Sequence, residues 1–399
     1  MSSSSITFFF PFRPPSGVST MFARVAGYVA ATTDVGVRIV DYPGGCLWRS
    51  IPEDARVERV AFADGKPYRA TPDSVLVMQS ALPYAVRPEL QFEPDTRVVF
   101  WNVLYYSLIN VLLPLPRLRN LHLERPWIYH AVMGSVLRGK RRTLQDYVER
   151  LVKTHGIIFH DQRTLEMTRR FLGCSLEDAV QIPVPVEMPP ATAPRRALDP
   201  DHLHCAWVGR FYDFKIHILV YTLEQISRWA AAERRHVTFH IIGDGPERSH
   251  LDDLQVEHEF FHVDRCGVIE SAALDGFLRE KVDLVMSMGT SVLEGAKHGI
   301  PAVLLDYAFQ PITRPYRFRW LHEVTGDDLG HAMRDEDYEE RPESLARIMA
   351  ALVGDNAGVS RRTLDYCRDH HGMESVCGRF LAVVAQSSFR YGDTPPALT

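Results

Sequence analysis

Three short segments in the second half of the chain carry the side chains best suited to chemistry. In the first, Trp207–Lys215 (WVGRFYDFK), a strand-like run ends at Gly209 and is followed by two cations, Arg210 and Lys215. Glycine lets the backbone turn sharply, and two cations in a loop that feeds a helix can stabilise the charge that builds on a departing diphosphate. An ordinary solvated arginine and lysine would give the same pattern, so the pair alone leaves both interpretations open.

The second segment is a glycine turn, His240–Glu247 (HIIGDGPE). Gly243 and Gly245 close a tight turn after a strand-like run, and Pro246 suits the first position of a helix. A strand-to-helix turn at a binding site has this pattern, and so does a turn without function.

The third segment is Asp283–Pro301, in which a strand ends at Ser287 and Gly289-Thr290-Ser291 opens a helix. Free backbone N–H groups and the helix dipole at such a point favour an anion such as phosphate. Glu294 lies one turn inside the helix, where its carboxylate can accept hydrogen bonds from sugar hydroxyls. A capped helix start with a solvated glutamate is the alternative interpretation.

The elements that must position these segments alternate between strand and helix, which predicts parallel sheets covered by helices. The proline-rich stretch Gln181–Arg195 interrupts the alternation and predicts a stiff linker between two domains. Two doubly wound domains predict a cleft at the carboxyl ends of their strands.

The predicted strands are 6–12, 38–42, 73–79, 97–101, 156–160, 204–208, 237–242, 260–263, 282–287 and 302–305. The predicted helices are 18–29, 126–153, 162–172, 216–230, 246–254, 274–279, 291–298, 342–353, 360–367 and 373–385.

Composition sets the broad class. The chain has 399 residues, 46% hydrophobic and 24% charged, which is enough for two full-sized cores and excludes a disordered polymer. The net charge of −5 argues against a surface built to bind nucleic acid. Six scattered cysteines without metal-ligand spacing predict reduced thiols rather than disulfides or a zinc site. No secretion signal and no ~20-residue apolar span is found, which predicts a soluble, cytoplasmic chain.

Together and in order, the three segments resemble the donor domain of GT-B glycosyltransferases, nearest to the large retaining group usually numbered family four. The elements V-G-R-x-x-x-x-K, G-D-G-P-E and D-L-V…S-x-L-E-x-A-x-x-G-I-P-A-V match from about Leu203 to Leu305, and Gly17 stands in the glycine loop after the first strand. The resemblance implies an α/β fold of two Rossmann-like, doubly wound parallel-sheet domains that face each other across a cleft. It implies an acceptor-binding domain at 1–190, a donor-binding domain at 191–372, and a C-terminal helix at about 373–390 that rejoins the first domain.

The resemblance also implies a metal-independent glycosyltransferase that uses a nucleotide-diphosphate sugar, with UDP or GDP, and no other cofactor. Arg210 and Lys215 would be catalytic through the diphosphate, and Glu294 would hold the ribose hydroxyls. The implied donor-binding residues are Gly17, Gly209, Gly243, Val268, Ile269, Gly289, Thr290, Ser291 and Glu294. Asp335-Glu336-Asp337 spells a D-x-D motif, but its polar surroundings predict solvated side chains rather than metal ligands.

One departure from the family pattern concerns the donor sugar. The family has two glutamates eight positions apart, of which Glu294 matches the second while Met286 occupies the first. This departure leaves retention of the anomeric configuration open. It also keeps two alternatives in view: a non-hydrolysing sugar-nucleotide epimerase of the same fold and a catalytically inactive nucleotide-sugar-binding subunit.

The first half of the chain offers fewer chemical signals. Polar and aromatic residues follow two predicted strands and are candidates for binding the acceptor: Asn102, Tyr105, His160 and Asp161. The resemblance implies that the acceptor is a glycan or lipid-linked sugar of bacterial surface polysaccharide biosynthesis. The basic cluster Arg138–Arg142 (RGKRR) is either a solvated helix face or a peripheral contact with anionic lipid at the inner face of the membrane.

Overall fold

The computed structural model describes residues 5–13, 16–71, 73–79, 89–103, 108, 125–135, 137–189 and 196–395. The described residues form two compact units: unit 1 runs up to Pro185 and resumes at Met373, and unit 2 is Val186–Gly372. The division therefore falls inside the stretch Gln181–Arg195 that we predicted as the linker. Within the described part of the chain, no helix is long and apolar enough to cross a membrane.

Unit 1 is built on a parallel sheet of seven strands in the order β3-β2-β1-β5-β7-β8-β9. The strands are β1 (Ser5–Phe9), β2 (Val37–Asp41), β3 (Val57–Ala61), β5 (Ser74–Gln79), β7 (Arg97–Asn102), β8 (Ile157–Phe159) and β9 (Val180–Gln181), with a separate pair of β4 (Tyr68–Arg69) and β6 (Leu90–Gln91). The helices are α1 (Gly17–Thr32), α2 (Cys46–Arg49), α3 (Pro126–Gly134), α4 (Arg138–Lys153), α5 (Gln162–Leu172) and, from the end of the chain, α12 (Met373–Gln386).

Helix α12 belongs to the core of unit 1. Its Phe380 stacks on Trp101 of β7 at 5.3 Å between ring centroids and on Phe8 of β1 at 5.8 Å. All three side chains are fully buried. The end of the chain is therefore held in unit 1 by an aromatic cluster on one face of its sheet.

Two sequence predictions for unit 1 are wrong in detail. The strand predicted as third, at 73–79, is β5, because the partly polar edge strand β3 (VERVA) precedes it. The helix predicted at 126–153 is two helices, α3 and α4, and the first ends at Gly134.

Unit 2 contains a six-stranded sheet in the order β12-β11-β10-β13-β14-β15, in which only the edge strand β15 is antiparallel. The strands are β10 (His202–Val208), β11 (His236–Ile242), β12 (Phe261–Gly267), β13 (Leu284–Ser287), β14 (Ala302–Leu304) and β15 (Arg319–Trp320). The helices are α6 (Asp213–Glu233), α7 (Ser249–Asp252), α8 (Ser271–Lys281), α9 (Thr290–Ala296), α10 (Ser344–Gly354) and α11 (Asn356–Tyr366).

The order of strands in unit 2 reverses between β10 and β13. After β10 the chain adds β11 and β12 on one side, and it then crosses to place β13 and β14 on the other. In open α/β sheets the loops leave such a point in opposite directions, and ligands bind in the crevice beyond the strand ends. The two doubly wound sheets confirm the predicted fold class.

Candidate functional site

The ends of β10 and β13 are fastened together at this reversal point. The Oγ of buried Ser287, the last residue of β13, donates a hydrogen bond to the carbonyl oxygen of Val208 at the end of β10, at 2.6 Å. The loops that begin at Gly209 and Met288 therefore start side by side, and both were predicted to carry site residues.

Gly243 lets the loops after β10 and β11 approach each other backbone to backbone. A Cβ atom on Gly243 would lie 2.0 Å from the carbonyl oxygen of Gly209, and its φ of 139° is one that other residues rarely adopt. The N–H of Gly209 donates to Ile242 O at 2.9 Å, and the N–H of Gly243 donates to Gly267 O at 2.8 Å. The carboxyl ends of three neighbouring strands are thus held in one continuous set of hydrogen bonds.

Arg210 and Lys215 are two cations close enough for the charge of one to act on the other. The exposed Arg210 donates from Nη1 to the Tyr212 hydroxyl at 3.2 Å. Burial lowers the pKa of Lys215, and the positive charge of Arg210 lowers it further. Neither cation forms an ion pair with a carboxylate among the residues that the structure describes. A pair of like charges without a counter-charge is a feature of sites that receive an anion.

The position of Lys215 differs from the prediction. We expected it in the loop before a helix, but α6 begins at Asp213 and places Lys215 in its first turn. The Nζ atom lies 5.7 Å from the ring centroid of Phe214. The helix therefore fixes the backbone of this lysine, which a loop would leave less defined.

The loop after β13 ends in a glycine whose conformation starts α9. Gly289 is the N-cap residue, with φ 63° and ψ −152°, and no side chain caps the helix there. Its own N–H donates to Leu329 O at 2.6 Å, which fixes the turn. Thr290 is exposed and Ser291 is half-buried. The first-turn N–H groups of α9 are therefore not satisfied by a capping side chain, as an anion site requires.

Glu294, predicted to hold ribose hydroxyls, is already engaged by a lysine. Its Oε2 accepts from Lys297 Nζ at 2.6 Å, and the same ammonium bonds Asp275 at 2.8 Å. Burial acts to lower the pKa of Lys297, but the two carboxylates outweigh it and raise that pKa. Glu294 is thus held in one orientation, half-buried, by an ion pair inside unit 2.

Met286, which replaces the first glutamate of the family pattern, is a core residue. It lies inside β13 with 0% of its surface exposed and packs in the same apolar cluster as Trp207. A carboxylate at this position would be buried in the sheet. The methionine that replaces the glutamate of the family pattern is therefore part of the core of unit 2.

Two of the predicted donor-binding residues, Val268 and Ile269, follow β12. Val268 is 70% exposed and Ile269 is half-buried. A cavity of about 180 Å³ lies beside this segment and reaches Gly243. Its lining residues are Phe211, Ile241, Gly243, Arg248, Leu251, Asp252, Arg265, Cys266 and Gly267.

In unit 1, three of the predicted acceptor residues come together at the ends of β7 and β8. The N–H of His160 donates to the carbonyl oxygen of buried Asn102 at 3.2 Å, and His160 Nε2 lies 2.8 Å from Asp161 Oδ2. Asp161 is also the N-cap of α5. Burial acts to raise the pKa of Asp161, but His160 and the capped helix start lower it. Tyr105 lies outside the described residues.

Two further predicted residues of unit 1 have local roles. Gly17 is the exposed first residue of α1, and the preceding Ser16 caps that helix. In the basic cluster Arg138–Arg142, Arg141 turns back to donate from Nε to the Leu172 carbonyl at 2.9 Å. The side chains of Arg138, Lys140 and Arg142 are exposed.

No family model matches the chain, and no curated protein matches its sequence. Solved structures do match its fold. A glycosyltransferase from Rickettsia africae superimposes with a TM-score of 0.54 at 9% identity, covering 96% of this chain and 98% of that one. TarM from S. aureus, crystallised with UDP and alpha-GlcNAc-glycerol, gives 0.54 at 11% identity over 95% and 99%. WaaG, a glycosyltransferase involved in lipopolysaccharide biosynthesis, gives 0.52 at 14% identity over 95% and 99%. The chain has the GT-B fold.

Within this GT-B fold, sequence reasoning missed one buried charged network in unit 2. His331 lies 2.6 Å from Asp328, 3.1 Å from Asp306 and 3.0 Å from Asp337, and Arg319 lies 2.6 Å from Asp306. Burial acts to lower the pKa of His331, but hydrogen bonds to Asp328 and Asp337 raise it to about 9. Only the spacing of Asp328 and His331 could have indicated the network, and that spacing is common.

The network corrects the interpretation of the D-x-D motif. Asp335 and Glu336 are exposed as predicted, but Asp337 is 6% exposed and bonds His331 and the backbone N–H of Arg334. The motif therefore divides between the surface and the interior of this GT-B protein, and Asp337 contributes to the core.

Proposed function

We propose that this GT-B protein is a glycosyltransferase that moves a sugar from a nucleotide-diphosphate donor to a glycan or lipid-linked acceptor. The observation that carries the proposal is the pair Arg210 and Lys215, two neighbouring cations without a counter-charge among the described residues, where the sheet order of unit 2 reverses. A diphosphate supplies the missing negative charge, and the helix start at Gly289 adds N–H donors from the neighbouring strand end.

The chemistry follows from where charge appears during transfer. When the bond between the sugar and the donor phosphate breaks, the electron pair stays with the phosphate oxygen and the leaving diphosphate becomes more negative. Arg210 and Lys215 stabilise the transition state, in which this charge develops, more than they stabilise the bound donor. This difference lowers the barrier to transfer. Two fixed cations supply the electrostatic role that a metal ion takes elsewhere, so we expect transfer to continue in the presence of a chelator.

The remaining predicted donor residues have roles consistent with their places. Glu294, oriented by Lys297, is proposed to accept hydrogen bonds from the ribose hydroxyls. The exposed segment at Val268 and Ile269 is proposed to contact the base beside the cavity of about 180 Å³. We expect UDP or GDP as the nucleotide and, from the family resemblance, retention of the anomeric configuration, which NMR of the product tests.

The acceptor is proposed to belong to surface polysaccharide or glycolipid biosynthesis, at the cytoplasmic side of the membrane. Two solved structures of this fold support that class: WaaG by its role in lipopolysaccharide biosynthesis, and TarM by its complex with a GlcNAc-glycerol. The exposed side chains of Arg138, Lys140 and Arg142 would contact anionic headgroups if the acceptor is lipid-linked.

The experiment is a thermal-shift screen of the whole chain against UDP, GDP, dTDP, CMP and their sugars. A ligand that binds only the native state stabilises it by about 2.7 kcal/mol at 100 times its Kd. The donor identified is then incubated with and without glycan and lipid-linked acceptors. Release of nucleoside diphosphate that depends on the acceptor supports a transferase.

Two outcomes would contradict the proposal and support the alternatives. Interconversion of the sugar nucleotide without an acceptor indicates an epimerase of the same fold. Tight donor binding without turnover in any acceptor mixture indicates an inactive subunit, which the buried Met286 in place of a glutamate would explain.

A further inference from the structure

Three side chains with different ligand chemistry share one face of the sheet in unit 2. His240 lies on β11, and Asp264 and Cys266 lie on the neighbouring strand β12. His240 is paired with Asp264 in the parallel register. Cys266 has no partner in that register, because Ile241 pairs with Arg265 and Ile242 with Gly267. Asp264 and Cys266 are two residues apart on β12, so both side chains lie on the face of the sheet that carries His240.

The three polar atoms form a compact triangle. His240 Nδ1 lies 2.9 Å from Asp264 Oδ2 and 3.9 Å from Cys266 Sγ, and Cys266 Sγ lies 3.5 Å from Asp264 Oδ2. A tetrahedral Zn²⁺ with ligand bonds of about 2.0–2.3 Å separates its ligand atoms by roughly 3.3–3.6 Å. Each side of the triangle is within about 0.4 Å of that range, so small rotations of the side chains suffice to admit an ion.

A second histidine orients the first. His204 Nδ1 is hydrogen-bonded to His240 Nε2 at 3.0 Å, which leaves Nδ1 of His240 directed at Asp264 and Cys266. The rings of Phe277 and buried His240 form a T-shaped pair with 5.4 Å between their centroids. Metal-binding histidines are commonly fixed in this way through the nitrogen that does not bind the ion.

The surroundings of the triangle concern two properties, its access to solvent and the charge around Asp264. His240 is buried, whereas Asp264 and Cys266 are half-buried, so solvent reaches the triangle from one side. A second group of possible metal ligands among the described residues, Asp306, Asp328 and His331, already has the Arg319 guanidinium as its cation. No arginine or lysine forms an ion pair with Asp264 among the residues that the structure describes.

We propose that His240 Nδ1, Asp264 Oδ2 and Cys266 Sγ form a binding site for Zn²⁺ or a similar divalent transition metal, with the fourth position open to solvent. One nitrogen, one oxygen and one sulfur ligand suit a borderline-soft ion and not Mg²⁺ or Ca²⁺, which prefer oxygen. The thiol loses its proton to solvent when the ion binds. The proposal differs from our prediction that the cysteines form no zinc site, and it does not depend on the proposed glycosyltransferase activity.

The test uses the untagged, reduced, chelator-treated whole chain titrated with Co²⁺, whose thiolate charge-transfer absorption reports a sulfur ligand. We expect one Co²⁺ per chain, loss of the absorption in Cys266→Ser, and displacement by Zn²⁺ but not by Mg²⁺. The matched control is Cys174→Ser, since Cys174 is a half-buried free thiol in unit 1. Its Co²⁺ spectrum should equal that of the wild-type chain.

A variant of His204 distinguishes a metal site with oriented ligands from a cysteine that merely reacts with Co²⁺. His204→Ala should weaken Co²⁺ affinity about 10- to 100-fold while the chain stays folded by circular dichroism, because this change removes only the group that orients His240. Retention of the cobalt–thiolate absorption in Cys266→Ser would overturn the proposal. So would the lack of any Co²⁺ or Zn²⁺ binding to the folded wild-type chain.

Discussion

At the scale of single residues, the charged network around His331 supports a loop of the candidate site. Asp328 and His331 flank Leu329, whose carbonyl oxygen accepts the N–H of Gly289 at 2.6 Å. The hydroxyl of Tyr316 donates to Asp306 at 2.9 Å and adds a further fixed contact. Gly289 therefore depends on a network that lies on other segments of unit 2.

His331→Gln should destabilise unit 2 by about 3–5 kcal/mol, because among the described residues it leaves three buried carboxylates with Arg319 as their only full positive charge. The measurement is the midpoint of urea unfolding. The matched control is Glu224→Gln, which removes an exposed pair with Arg228 on α6 and should change stability by less than about 1 kcal/mol. An effect of His331→Gln as small as that of the control would contradict the role of the network.

The stability that His331 provides should depend on pH in a defined direction. Its pKa rises from 6.5 to about 9 on folding, so the protonated ring stabilises the native state fully below pH 6.5. This contribution is lost as the pH rises through about 9. The difference in free energy of unfolding between wild type and His331→Gln should shrink over that interval, and a difference that grows would show that the ring is neutral. The charged and titratable groups that face the His331 ring are Asp306, Asp328, Asp337, Arg319 and Tyr316.

The sequence could indicate Arg210 and Lys215 because they lie in one continuous motif. It could not indicate the triangle of His240, Asp264 and Cys266, since the pairing of β11 with β12 brings those residues together. Spacing along the chain predicts contacts within one element but not between elements whose register is unknown.

At the scale of elements, the contact between the loops after β10 and β11 is the tightest backbone approach in the candidate site. It requires glycine at position 243, where a Cβ atom would lie 2.0 Å from Gly209 O. Loop positions set by backbone contact tolerate little change, because neither partner has a side chain that can move aside.

Gly243→Ala should therefore cost at least about 2 kcal/mol in stability and weaken donor binding. The matched control is Gly27→Ala in α1, where a Cβ atom meets nothing within 4 Å. In a helix interior that change should stabilise the chain by about 0.5–1 kcal/mol. Thermal melts of both variants check the opposite signs, and a neutral Gly243→Ala would show that the loops do not hold each other.

The sequence predicts strands correctly where most of their residues are buried. The central strands of unit 2 end in buried, mainly apolar residues because helices cover both faces of a parallel sheet, and their predicted positions agree with β10, β11, β13 and β14. The edge strand β3 was missed because only its first residue is buried. Strands β9 and β15 have two residues each and carry no pattern that could be recognised.

At the scale of the whole molecule, the chain returns to unit 1 after completing unit 2. The returning helix α12 is held by Phe380 between Trp101 and Phe8. Unit 1 is therefore complete only with helix α12 in place. The resemblance implied this return, whereas composition and periodicity indicated only two domains and a linker.

Phe380→Ala should destabilise unit 1 by about 3–5 kcal/mol and leave unit 2 protected. Hydrogen exchange measured peptide by peptide distinguishes the two units, with faster exchange expected in β1 and β7 and unchanged exchange in β10 and β11. The control is Gln386→Ala, since Gln386 is an exposed residue of the same helix and its replacement should have little effect. Equal loss of protection in both units would contradict the independence of their cores.

The central claim is that Arg210 and Lys215 bind the donor diphosphate and stabilise it as the sugar leaves. The most direct test is the rate of acceptor-dependent release of nucleoside diphosphate by Arg210→Ala and Lys215→Ala, with Arg228→Ala as the control for loss of an exposed cation on α6. We expect each site variant to lose about 100-fold or more in turnover while remaining folded, and the control to retain normal turnover. Near-normal turnover in both site variants would contradict the account.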